Sequence, residues 1–234
     1  MEQALLYSIL AGGMIPLGGL LARVEHIQSQ WLQQEFRHSV IAFGGGALVA
    51  AVALVLVPQG TQALPVPLSL VCFLGGGVLF ALIDRWIATR GGSRGQMLAM
   101  LADFVPEAIA LGALFAAQSP AAPLMGLLIA LQNLPEGFNA YREAAPDTPA
   151  RARRTLLVFA ALALLGPAAA LLGHYVIAGF PTLLGAIMVT AAGGILYLIF
   201  EDIAPQAPLD HAWAPPLGAV LGFALGLLGH LVIH

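Results

Sequence analysis

Two short stretches carry residues that can do chemistry in a chain whose surroundings cannot: Asp103-Phe104-Val105-Pro106-Glu107 and Gln132-Asn133-Leu134-Pro135-Glu136. Each lies in a long apolar run and repeats one pattern, a polar ligand-type residue followed by a proline and then a glutamate. A spacing of four puts Asp103 and Glu107 on one face of a helix, and Gln132 and Glu136 likewise. Pro106 and Pro135 have no N–H to donate and crowd the carbonyls of Ala102 and Leu131, which frees acceptors and is expected to kink both helices. Carboxylates and freed carbonyls at one depth of an apolar bundle are what a cation needs. The donors on offer are oxygens: the carboxylates of Asp103, Glu107 and Glu136 and the amide of Gln132. Such a set suits manganese and, less strongly, ferrous iron, while zinc still binds through its higher intrinsic affinity, so broad selectivity is expected.

The elements that position these residues follow from composition. The chain has 234 residues, 59% hydrophobic and only 9% charged. A soluble domain carries about 25% charged residues, so the sequence is that of a polytopic membrane protein. The formal charge of −3 implies no charged partner, and no basic patch with interleaved aromatics invites nucleic acid. The single cysteine, Cys72, excludes an internal disulfide. The start Met1-Glu2-Gln3 lacks a basic n-region, so the first apolar run reads as a retained helix.

Eight apolar segments of spanning length can be drawn, at about 2–22, 38–57, 68–88, 97–117, 122–142, 155–178, 182–203 and 214–233. Strict alternation, the mark of barrel strands, is absent. Short turn-like connections separate the segments, and none is long enough to divide the chain, so residues 1–234 form one domain. All nine basic residues are Arg, at 23, 37, 85, 90, 94, 142, 151, 153 and 154, in or beside the connections after segments one, three and five. That distribution gives an all-α protein of eight transmembrane helices, with both termini outside and the Arg-bearing loops in the cytoplasm. Glycine clusters at 12–13, 44–46, 75–77 and 193–194 allow close helix approach.

Five acids fall inside the expected spans: Asp103, Glu107 and Glu136 centrally, and Glu201 and Asp202 near the cytoplasmic end of segment seven. Each mid-bilayer charge costs about 2.5–3.5 kcal/mol on insertion scales, and no central Lys or Arg pairs with them. The bland alternative is that they are protonated and bonded to one another. Isolated interfacial histidine is the expected role of His26, His38, His211, His174, His230 and His234. Trp31, Trp86 and Trp213 read as interfacial anchors, and Asp84 beside Arg85 as an ion pair.

These motifs, in this order and separation, resemble those of the ZIP family of divalent metal transporters. Gln132 to Gly137 is similar to that family's fifth-helix motif, and Asp103 to Ala108 to its fourth-helix motif with Asp in place of His. The resemblance extends to Ala11-Gly12-Gly13-Met14-Ile15-Pro16, to Phe43–Ala47 ending at Pro58-Gln59, and to Ala192-Gly193-Gly194 leading to Glu201-Asp202. It implies metal ligands at Asp103, Glu107, Gln132, Asn133 and Glu136, and an exit-side station at Glu201 and Asp202. Three departures stand out. Phe104 replaces a usual Asn, Asn133 stands where an acid is often found, and Gly166 stands where some bacterial members carry a bridging Glu. Together they weaken a second metal position. The His-rich loop of many members, between helices three and four, is also missing.

The resulting expectation is a transporter of the bacterial cytoplasmic membrane. It would move zinc, or a broader range with iron, manganese and cadmium, inward through a midplane site on helices four and five. The metal is substrate, the surrounding partner is lipid, and the resemblance implies that a homodimer is frequent. Two rival readings remain: a degenerate member that binds metal without moving it, and an intramembrane metalloenzyme. The second lacks a His-Glu-x-x-His helix and a nucleophile beside a base.

Overall fold

A computed structural model describes residues 1–24, 30–90, 95–144, 146–207 and 213–233. Among them there is no strand. The helices are α1 (Glu2–Val24), α2 (Gln30–Ala51), α3 (Val66–Arg90), α4 (Gly95–Ala116), α5 (Ala121–Ala144), α6 (Pro149–Ala163), α7 (Leu165–Tyr175), α8 (Pro181–Leu198) and α9 (Ala214–Ile233). A π-helical turn, Val52–Leu56, and a further turn, Val57–Thr61, extend α2; another π turn, Ile199–Ile203, extends α8. Six helical segments are long and apolar enough to cross a membrane, among the described residues. The two motif helices are not among those six, yet α4 has 22 residues and α5 has 24. At a rise of about 1.5 Å per residue both match a hydrocarbon core of about 30 Å. Both run on through their internal prolines, Pro106 and Pro135.

Local chemistry sets several boundaries. Thr148 caps α6, its side chain accepting from the Arg151 N–H at 3.3 Å, and Pro149 follows at the first helical position. The segment 155–178 is a broken helix, interrupted at Leu164. Pro167 accounts for the break, because it can neither donate to nor fit beside the Ala163 carbonyl four residues back. His26, Arg94, Asp210, His211 and His234 lie outside the described residues.

The helices pair as α1 with α5, α4 with α7, α2 with α9 and α3 with α8. The first two pairs join through α1–α7 and α4–α5 contacts, and α5 also packs on α2. The motif helices are therefore neighbours inside the bundle. Helices α3 and α9 lie at the periphery, with only 11% of their apolar windows buried, whereas the window of α2 and its extension is 67% buried. Leu70, Leu74, Val78, Leu82, Leu217 and Leu231 stand exposed on α3 and α9, a surface that suits lipid rather than water.

Close backbone approach holds the pairs together. A Cβ on Gly112 would run into the Ala170 carbonyl of α7, and one on Gly18 into the Leu134 carbonyl of α5. Within one cluster the roles differ. A Cβ on Gly76 would strike the Thr190 carbonyl of α8, while one on Gly75 would meet nothing within 4 Å. Gly76→Val should therefore push α3 off α8 and lower the thermal midpoint in detergent by several degrees, because overpacking costs about 1–3 kcal/mol or more. Gly75→Val should leave the midpoint unchanged. Equal midpoints for the two variants would place the α3–α8 contact elsewhere.

Candidate functional site

Six polar or charged side chains are buried among the described residues, and five of them belong to the motif helices: Asp103 and Glu107 on α4, and Gln132, Asn133 and Asn139 on α5. The pattern of four has the expected effect, since Asp103 and Glu107 are both turned inward, 1% and 0% exposed. Gln132 meets them across the helix contact. Its Nε2 donates to Glu107 Oε2 at 2.5 Å. One Asp103 carboxylate oxygen accepts from the N–H of Phe104 at 2.7 Å.

A cavity of about 40 Å³ opens beside these residues. Asp103, Glu136 and Asn139 line one side; Asp202 and Gln206, just beyond α8, line the other. Ile41, Gly44 and Leu48 of α2 and Leu198 of α8 supply the apolar wall. One water needs about 10–15 Å³ by this measure, so the cavity has room for about three waters or for an ion with a water or two. It occupies the half of the bundle towards the N-terminal end of α4 and the Arg142-bearing end of α5. Glu107 and Gln132 lie one turn deeper, and beyond them Leu111, Met125, Leu128 and Ile129 are fully buried. The charges of Asp103, Glu107 and Asp202 all act on Glu136, which makes Glu136 the centre of the group.

The decisive feature is what these oxygens lack. Among the described residues seven buried side-chain atoms have no hydrogen-bond partner, and five of them are oxygens of this cluster. They are Glu107 Oε1, Gln132 Oε1, Asn133 Oδ1, Glu136 Oε2 and Asn139 Oδ1. An orphaned buried acceptor costs about 1–3 kcal/mol, more when charged. Several together, all acceptors, amount to a site that requires protons, water or a cation. Among the described residues no three His, Cys, Asp or Glu side chains stand close enough to enclose an ion by themselves. The amides of Gln132 and Asn139 would have to complete the set.

The expected site residues separate into three groups. Asp103, Glu136 and Asp202 line the cavity, and Glu107 with Gln132 sits directly behind it. Asn133 turns away towards α1, where its Nδ2 donates to the Ala11 carbonyl at 2.9 Å. Glu201 is exposed and interacts with Asp84 and Asp202. Asp84 in turn accepts from the Tyr197 hydroxyl at 3.3 Å. The adjacent acids at 201 and 202 diverge because successive side chains on a helix lie about 100° apart, and because the Ile199–Ile203 π turn re-aims them. Two cavity residues escape a motif-based reading, Asn139 and Gln206. Asn139 carries a legible signal, since it lies three residues after Glu136 and so on its face. Gln206 carries none, and only the fold reveals that its Nε2 donates to Asp202.

Phe104 and Gly166 prove to be one feature. Phe104 is buried, and a Cβ on Gly166 would lie 2.5 Å from its ring edge. The same ring carbon would come within 3.3 Å of a Cβ on Gly12. The ring thus fills a pocket that two glycines of α1 and α7 leave open, beside Asp103 on the chain. Space that could have held another ligand is occupied by hydrocarbon.

Comparison with models of known protein families finds no match, and neither does comparison with curated protein sequences, so the chemistry of the buried oxygens carries the functional reading.

Proposed function

We propose that this protein is a membrane transporter for divalent metal ions, carried by eight spans with both termini outside. The observation that carries the reading is the group of unpartnered buried oxygens around Glu136, gathered with the buried Asp103. The resemblance of the paired Pro-Glu motifs to the ZIP family points the same way. Carboxylates replace part of the hydration shell of the ion, and neutral amide oxygens and residual water complete it. A conducting site must bind well enough to strip water and weakly enough to release. Mixed carboxylate and amide ligation at one depth meets both demands. The Phe104 ring packed on Gly166 supports one ion per protomer at this level.

The walls of the cavity come from different helix pairs. Asp103 and Glu136 ride with α1, α4, α5 and α7, while Asp202 and Gln206 belong with α2, α3, α8 and α9. Relative movement of these groups would change which end of the site is accessible. If the arginine-bearing side is cytoplasmic, as the charge distribution implies, a cavity on that side with packed hydrocarbon beyond Gln132 corresponds to an inward-facing state in this reading. Transport runs inward across the cytoplasmic membrane of a bacterium in this reading, with zinc, iron, manganese and cadmium as substrates.

Three experiments test this. Glu107→Gln and Glu136→Gln keep side-chain shape but remove a charge that the ion needs. Losing an outer partner of a metal ligand typically costs about 10–100-fold, so loss of a ligand should lower flux into proteoliposomes by about 100-fold or more, with unchanged monodispersity. Unaltered flux in both variants would remove these helices from transport; metal binding without flux in the wild type would leave a binding protein.

Selectivity is the second test. Asp103→His adds an imidazole to an oxygen site, and imidazole favours zinc over manganese. Competition flux should shift towards zinc. An unchanged zinc-to-manganese ratio would mean that residue 103 does not face the ion.

Orientation is the third. With Cys72 replaced by Ser, a cysteine at position 92 should react with a membrane-impermeant maleimide only after the membrane is opened. Labelling from outside would sink the topology.

A further inference from the structure

The geometry points to Asn139 as a metal ligand, a neutral relay between Glu136 and Asp202. This rests on the proposed cation site and extends it to a residue outside the two motifs. Asn139 is 6% exposed, lines the same cavity as Glu136 and Asp202, and its Oδ1 has no partner. Asn133 ties its Nδ2 to the Ala11 carbonyl and does not line the cavity, although its Oδ1 also lacks a partner. Asn139 combines both features, a place in the cavity wall and a buried Oδ1 without a partner. It follows Glu136 by three residues, so its side chain lies on the same face, about 4.5 Å further along the axis towards the arginine-bearing end. An ion held by Glu136 reaches the Asn139 oxygen without first leaving the carboxylate.

The residue type matters as much as the place. Asp202 stands on the other wall with Gln206 donating to it. A third carboxylate between Glu136 and Asp202 would deepen the well and slow release. A hydrocarbon side chain would strip water without replacing it, which raises a barrier. An amide oxygen replaces a water ligand, adds no charge and carries no proton at neutral pH. It therefore lets the ion pass between two anionic stations.

The test is metal titration of purified protein together with flux in proteoliposomes, using zinc and manganese separately. Asn139→Leu, near the same volume, should weaken equilibrium binding by about tenfold and slow flux in parallel. Asn139→Asp should bind at least as tightly as the wild type while its maximal rate falls. Wild-type affinity in the Leu variant, or weaker binding in the Asp variant, would overturn the assignment. Should the Leu variant fail to fold, the Asp variant decides alone. Wild-type protein that binds ions but moves none removes transport and leaves the Asn139 assignment to stand or fall on the titration. Wild-type protein that binds neither metal overturns both.

Discussion

Buried acceptors without donors are the constraint on which the rest of this structure depends. Elsewhere the chain solves the membrane problem in the ordinary way. Its backbone is helical, its surface is apolar, and its helices touch through glycine. At Glu107, Gln132, Glu136 and Asn139 it leaves hydrogen-bonding demand unmet. A sequence that needed only a stable bundle would replace such groups with leucine at no cost in packing. A set of unsatisfied oxygens is stable only if something exchangeable satisfies it, and a small hydrated cation fits the charge, the donor type and the 40 Å³ of space.

The surrounding fold makes sense as support for that demand. The glycine contacts at 18, 112 and 76 bring backbones close and leave little freedom within each helix pair. The cavity lies between helix pairs rather than inside one, so its lining residues are divided between them. An ion buried within a single tightly packed pair would have no exit.

Much of this was legible in the chain, and the reasons differ by element. The all-helical character and the approximate place of the helices follow the apolar runs, because Pro and Gly punctuate such a sequence, while six helical segments among the described residues are long and apolar enough to span a membrane. Burial of Asp103, Glu107 and Gln132 was legible from a spacing of four. The break at Leu164 was within reach, since Pro167 sits inside segment six. The π turns were not, because nothing local in Val52–Leu56 or Ile199–Ile203 demands an extra residue per turn. The resemblance groups Glu201 and Asp202 as one station, whereas in the fold Asp202 lines the cavity and Glu201 is exposed outside it.

Phe104 and Gly166 show where sequence reading has to stop. Taken singly, each is a missing ligand: an aromatic where an amide is usual, and a hydrogen where a carboxylate can stand. Together they are a complementary pair, with ring volume on α4 filling what the glycine on α7 vacates. Restoring only one partner fails on simple steric grounds. A glutamate at 166 collides with the ring, and an asparagine at 104 leaves a void beside a buried acid. The two positions must change together, so the packing of α4 on α7 couples them. What remains is a site with one set of oxygens on one face of α5, running from Gln132 through Glu136 to Asn139.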